Sequence, residues 1–88
     1  MKKMSDFLEL PGEPVFREVQ VILTGKRRAV IENYRNIQSY TKEEIQILTS
    51  SGRLVIRGEK LVIPCYTPLE LYVRGQIKSI TLEEGKKR

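Results

Sequence analysis

The chain has 88 residues, with 16 lysines and arginines against 11 aspartates and glutamates, a formal net charge of +5, and no histidine or tryptophan. That length bounds one small domain, and the lack of histidine removes the commonest general base, the commonest neutral metal ligand and the usual charge switch near pH 7. The excess charge belongs to the ends: Lys2, Lys3, Lys86, Lys87 and Arg88 supply five cations, leaving 11 basic against all 11 acidic side chains over residues 5 to 84.

In chain order, "MKKMSDFLELPGEP" runs into Pro11, Gly12 and Pro14, which forbid a continuing helix or a central strand, so residues 1–14 read as an arm. The same stretch lacks the apolar core of a secretory signal. No segment approaches the roughly 18 to 20 apolar residues that span a bilayer, and the expected location is the cytoplasm with no membrane span. "VQVILTG" alternates Val19, Val21 and Leu23 on one face, the period-2 mark of a half-buried strand, and Gly25 ends it. "GKRR" then reads as the turn into a second strand, "RRAVIENY".

Thr41 and Glu44 have capping-box spacing, yet the apolar run after them stops within about five residues at Ser50, Ser51 and Gly52, too short for a stable helix. The expected structure is a strand over 45–49, a three-residue Ser-Ser-Gly loop with Gly52 left-handed, and a strand over 53–57. From there "RLVIRG", "KLVIPC", "ELYVRG" and "IKSITL" follow as short β-branched units separated by Gly, Pro or charge. The predicted core is Leu54, Ile56, Leu61, Ile63, Leu69, Leu71 and Val73. Pro64 and Pro68 make "CYT" a loop or sheet edge, and "EEGKKR" ends in a basic tail over 85–88.

These units predict a small all-β domain over 15–84, of about six to seven short, mainly antiparallel strands folded as a roll or sandwich. A β-solenoid-like stack is the alternative, since "LVI", "LVI" and "LYV" recur, but at irregular spacings. Gly25, Gly52, Gly58 and Gly75 are the predicted turn or bulge positions.

No motif for chemistry emerges. Gly52 and Gly58 are separated by a strand-like "RLVIR" and followed by Glu59, which would repel phosphate, unlike a Gly-Lys-Ser/Thr phosphate loop. Glu43 and Glu44 would point to opposite faces of a strand, and Cys65 has no histidine to activate it, so it reads as a small buried or edge-strand side chain. The expectation is no enzyme, no catalytic residue, no metal and no cofactor. Lys26, Arg27, Arg28, Asn33, Tyr34, Arg35, Arg57 and Arg74 are the candidate interaction surface. Binding of nucleic acid through the basic turn and the ends is the alternative function, opposed by the neutral body.

Taken in order, "DFLELPGEP", "VQVILTG", "AVIENYRNI", "YTKEEIQILTSSGRLVIRGEKLVI" and "LELYVRGQIKSITLEE" resemble the YabP/YqfC family of endospore-forming bacteria, most of all its YqfC branch. The likeness covers residues 6–84. It departs at Tyr34, where the family often has histidine, at Asn36, where glycine is usual, and at "LPGEP". The resemblance implies a non-enzymatic structural or interaction protein of endospore formation, made in the mother cell and working in coat or cortex assembly. Its implied partners are other sporulation or spore envelope proteins, with self-association as a further option.

Overall fold

The computed structural model describes residues 18–84. The arm expected over 1–14 and the basic tail over 85–88 lie outside the described residues. Six strands follow in order: β1 (Gln20–Thr24), β2 (Arg28–Glu32), β3 (Tyr34–Tyr40), β4 (Glu44–Thr49), β5 (Gly52–Val62) and β6 (Glu70–Glu83). They form one open sheet in the order β1-β2-β6-β5-β4-β3, and every neighbouring pair is antiparallel. Antiparallel pairing throughout excludes the solenoid stack, whose coils would pair in parallel.

The connection from β2 to β3 dictates the shape. In the sheet order these strands are four steps apart, which is roughly 19 Å across a flat sheet at about 4.8 Å per step. Yet only Asn33 joins them, and two consecutive Cα–Cα steps reach at most about 7 Å. The sheet must therefore curl until its ends approach. One face turns inward and buries itself: Ala29 and Ile31 from β2, Ile45 and Ile47 from β4, Leu54, Ile56 and Leu61 from β5, and Leu71, Val73 and Ile77 from β6 form a single cluster. Val19, Val21, Tyr34, Ile37, Ile63 and Ile80 pack against it.

Long strands replace the short units expected from sequence. "RLVIRG" and "KLV" are one strand, β5, and "ELYVRG" and "QIKSITLE" are another, β6, because Gly58 and Gly75 bend the chain at register shifts without ending the pairing. A Cβ on Gly58 would run into the carbonyl of Gln76, so only glycine permits that close approach. At the second shift Lys60 and Leu61 stand opposite Gly75; Lys60 is left-handed (φ 55°), and Gly75 has φ 134° with a would-be Cβ 2.6 Å from the Lys60 carbonyl oxygen.

Other differences have local causes. The β4–β5 loop holds two residues, since Gly52 already pairs with Thr49, whose hydroxyl donates to the Gly52 carbonyl (2.8 Å) and accepts from the Ser51 amide (3.0 Å). Gly52 does have positive φ (137°). Leu69, predicted in the core, is 62% exposed because β6 begins only at Glu70. It lies in a turn built by Thr67, whose hydroxyl accepts from the amides of Leu69 (3.2 Å) and Glu70 (2.9 Å). Thr41 builds the same turn before β4, accepting from Glu43 (3.2 Å) and Glu44 (3.0 Å). Thr-x-x-Glu thus opens two strands and starts no helix. Cys65 is exposed in the β5–β6 loop. Among the described residues no helix is long and apolar enough to cross a membrane.

Candidate functional site

The outer face of the β2–β6 ladder carries an unusual charge arrangement. Residues 28, 30 and 32 of β2 alternate with the buried Ala29 and Ile31, so they point outward, as do 70, 72 and 74 beside the buried Leu71 and Val73. The register pairs Arg28 with Arg74, Val30 with Tyr72, and Glu32 with Glu70. Direct cross-strand partners hold their Cβ atoms about 5 Å apart, so two like-charge pairs of opposite sign sit on one ladder. About 13 Å separates them along the strands, four residues at roughly 3.3 Å each.

The cationic end extends beyond this pair. Arg27, Arg28, Lys60, Arg74, Gly75 and Gln76 line one shallow groove, with Lys26 beside Arg27 in the β1–β2 turn. That turn is fixed to β6 by backbone hydrogen bonds from the Gly75 amide to the Arg27 carbonyl (3.2 Å) and from the Ile77 amide to the Lys26 carbonyl (2.8 Å). All five cations are exposed, and among the described residues none forms an ion pair. Lys60, one of the residues lining this groove, is left-handed, a backbone conformation that residues with a Cβ rarely adopt.

At the anionic end, the Tyr72 hydroxyl donates to the Glu70 carboxylate (2.9 Å). That hydrogen bond, with the carboxylate charge next, holds the Tyr72 phenol above its ordinary value near 10.0. Between the two ends runs an apolar row, Ile22, Val30 and Tyr72, because Ile22 pairs with Val30 and shares its face. Ile22 is 49% exposed.

The candidate surface residues divide into three groups. Lys26, Arg27, Arg28 and Arg74 come together. Arg57 lies apart and is neutralised by Glu44, its register partner, at 3.3 Å. Asn33, Tyr34 and Arg35 sit at the β2–β3 corner, where the first two are tied down. Asn33 is left-handed (φ 66°), donates from its side chain to the Glu18 carbonyl (3.0 Å), and donates its amide to the Leu69 carbonyl (2.9 Å). The Tyr34 hydroxyl donates to the Thr67 carbonyl (2.6 Å), and burial, with Tyr66 nearby, raises its pKa. Arg35 is exposed on the edge strand β3.

Glu32, Lys60, Glu70, Tyr72 and Gln76 belong to this face and did not stand out in the sequence. The signal for four of the ladder's charges is nevertheless there: "RAVIE" and "ELYVR" carry charge at their ends in opposite order, so an antiparallel match sets like against like. Among the described residues no group of three or more His, Cys, Asp or Glu could hold a metal ion.

Fold and face together define a small, all-β, single-sheet domain with a bipolar outer surface. The chain belongs to the YabP family, whose model matches residues 17–88. It is similar to the uncharacterized protein YqfC of Bacillus subtilis (strain 168), with 25% identity over 78 residues, covering 89% of this chain and 84% of that protein. No solved structure matches it.

Proposed function

We propose that this chain is a non-enzymatic interaction protein of endospore formation, working in the mother cell during assembly of the spore envelope, and that the outer face of β1, β2 and β6 is its contact surface. The observation that carries the reading is the pair of like-charge rows, Arg28 with Arg74 and Glu32 with Glu70, each placed where it opposes the fold's own stability. Charges of that kind gain their favourable partners from outside the chain. Membership of the YabP family supports the setting, because that is the family whose resemblance implied sporulation.

A gene deletion complemented with the wild type and with R28E/R74E tests the reading. Loss of heat-resistant spores, restored by the wild type and not by a folded R28E/R74E chain, is the expected result. Normal sporulation without the gene would remove the setting; full complementation by the charge-reversed chain would remove the surface.

A second reading, a small β-domain that binds nucleic acid, draws on the groove lined by Arg27, Arg28, Lys60 and Arg74. Affinity for single-stranded RNA that falls steeply between about 50 and 200 mM salt would favour it, because phosphate contacts release counterions. The glutamate row beside the groove opposes a continuous backbone track.

A further inference from the structure

The bipolar face matches one surface that is certain to be present wherever this chain is made: its own. A two-fold axis lying in the contact plane and running along the row Ile22, Val30 and Tyr72 leaves each strand over its counterpart and reverses its direction. That operation sets Arg28 of one copy over Glu32 of the second, and Arg74 over Glu70, twice per contact. The apolar row meets itself on the axis. We infer that this face is the interface of a symmetric homodimer, in which the two like-charge pairs of each chain are neutralised by the oppositely charged pairs of a second copy.

Three observations favour a second copy over an unrelated partner. First, the face is self-complementary in sign. Cations occupy one end of the β2–β6 ladder and anions the other, equidistant from the central pair Val30 and Tyr72. A surface selected for one acidic or one basic partner needs only one of these rows. Second, both rows run against the rule for cross-strand pairs, so neither gains from its cross-strand pairing in the isolated chain. Exchanging the residues at 70 and 74 would place Arg28 beside Glu and Glu32 beside Arg within one chain, relieving both repulsions. The arrangement that is present is the one that keeps the attraction for an intermolecular contact. Third, exposed Ile22 lies between the rows, where an isologous contact places its apolar centre inside a polar rim.

The inference rests on the reading of this face as a contact surface, and it names the partner. Because the contact spans only β1, β2 and β6, the association should be weak and sensitive to salt.

Sedimentation equilibrium of the full chain, from low micromolar up to roughly 0.5 mM, measures it in the range where small interfaces assemble. A monomer–dimer equilibrium is expected, weakening at least several-fold as salt rises. R28E/R74E and E32R/E70R should each be monomeric alone, because copies with both ends of one sign repel. Mixed together they should form a one-to-one heterodimer, since an all-acidic ladder meets an all-basic one at both ends. The fourfold variant R28E/R74E/E32R/E70R should dimerise like the wild type.

Each double variant still carries two like-charge pairs, so the repulsion within the fold stays close to that of the native chain. If either double variant fails to fold by circular dichroism, R28Q/R74Q and E32Q/E70Q take their place, with loss of self-association expected in both. A wild type monomeric throughout the range overturns the inference, as does a dimer that survives all of these substitutions. The two readings separate in a pull-down from sporulating cells. A monomer that captures spore proteins through Arg28 and Arg74 removes the second copy and keeps the contact surface. A monomer whose R28E/R74E form captures the same proteins removes both.

Discussion

The two halves of the sheet treat surface charge in opposite ways. On β4, β5 and the end of β6, opposite charges face each other: Arg57 meets Glu44 at 3.3 Å and Arg53 meets Glu83 at 3.8 Å, each pair also being register partners. Lys78 and Glu59 add a third pair at 2.9 Å near the Gly58 bulge. On β2 and the start of β6, Arg faces Arg and Glu faces Glu. Both regions share one core and one exposure to water, so the solvent alone does not explain the difference. The cross-strand rule is obeyed in the first region and broken twice, with opposite sign, in the second, which is the face proposed above as a contact surface.

The largest perturbation should ignore this contrast. Leu71 lies fully buried at the start of β6, in the cluster that both regions share, and Leu71→Ala should cost about 2–5 kcal/mol in chemical denaturation, loosening both regions together. A selective loss of either half would show that the core is not shared. Next, Tyr34→Phe removes the hydroxyl that ties the corner to the Thr67 carbonyl and should destabilise by roughly 0.5–1.5 kcal/mol.

The contrast itself predicts opposite signs for one kind of substitution. At concentrations too low for association, Arg74→Glu should stabilise the chain by roughly 0.2–1 kcal/mol, because it faces Arg28. Arg57→Glu should destabilise by a similar amount, because it faces Glu44. Equal signs in urea titrations would erase the distinction. Lys60→Gly should stabilise by no more than about 1 kcal/mol, since relief of the left-handed backbone is partly offset by the greater entropy of unfolded glycine.

The smallest effect is a titration. The Glu70 carboxylate accepts the Tyr72 hydrogen bond and so favours the protonated phenol in the folded chain. A folded pKa above the unfolded one means that this contribution is present below pH 10 and is lost as pH rises through the folded value. Phenolate absorbance, taken as the difference between wild type and Tyr72→Phe, should titrate above 10, and Glu70→Gln should bring it down. Dimerisation would move it too, as Arg74 of a second copy approaches Glu70.

Much of the fold was legible because apolar periodicity reports burial directly. Ile45 and Ile47, Leu54 and Ile56, and Leu71 and Val73 alternate in sequence and are all buried. Where that signal fades, the reading fails. The edge strand β3, "YRNIQSY", turns only Tyr34 and Ile37 toward the core, three residues apart and so out of strand alternation, and has two irregularities in its pairing, so nothing marked it as a strand. "RRAVIENY" read as one strand because Asn33, at the corner, differs from a strand residue only in its φ. Val55 is buried on the outer face, between Gln46 and Thr81, where alternation predicts exposure. The candidate surface was half legible. The run "GKRR" is local, and its cluster with Arg74 follows once β2 and β6 pair. The glutamate row follows only from the register, since the mirrored charges of "RAVIE" and "ELYVR" oppose like with like once β2 and β6 are matched antiparallel.

The position of β6 has a consequence for synthesis. The hairpin of β1 and β2 and the meander of β3, β4 and β5 are each contiguous in sequence, and in the sheet β6 lies between β2 and β5 and pairs with both. A ribosome makes β6 after all the others. Until it emerges, the nascent chain is two unfinished fragments joined at Asn33, each with a bare apolar face and no strand to zip them together. The full sheet can therefore close only once β6 is made, and until then β6 covers neither apolar face.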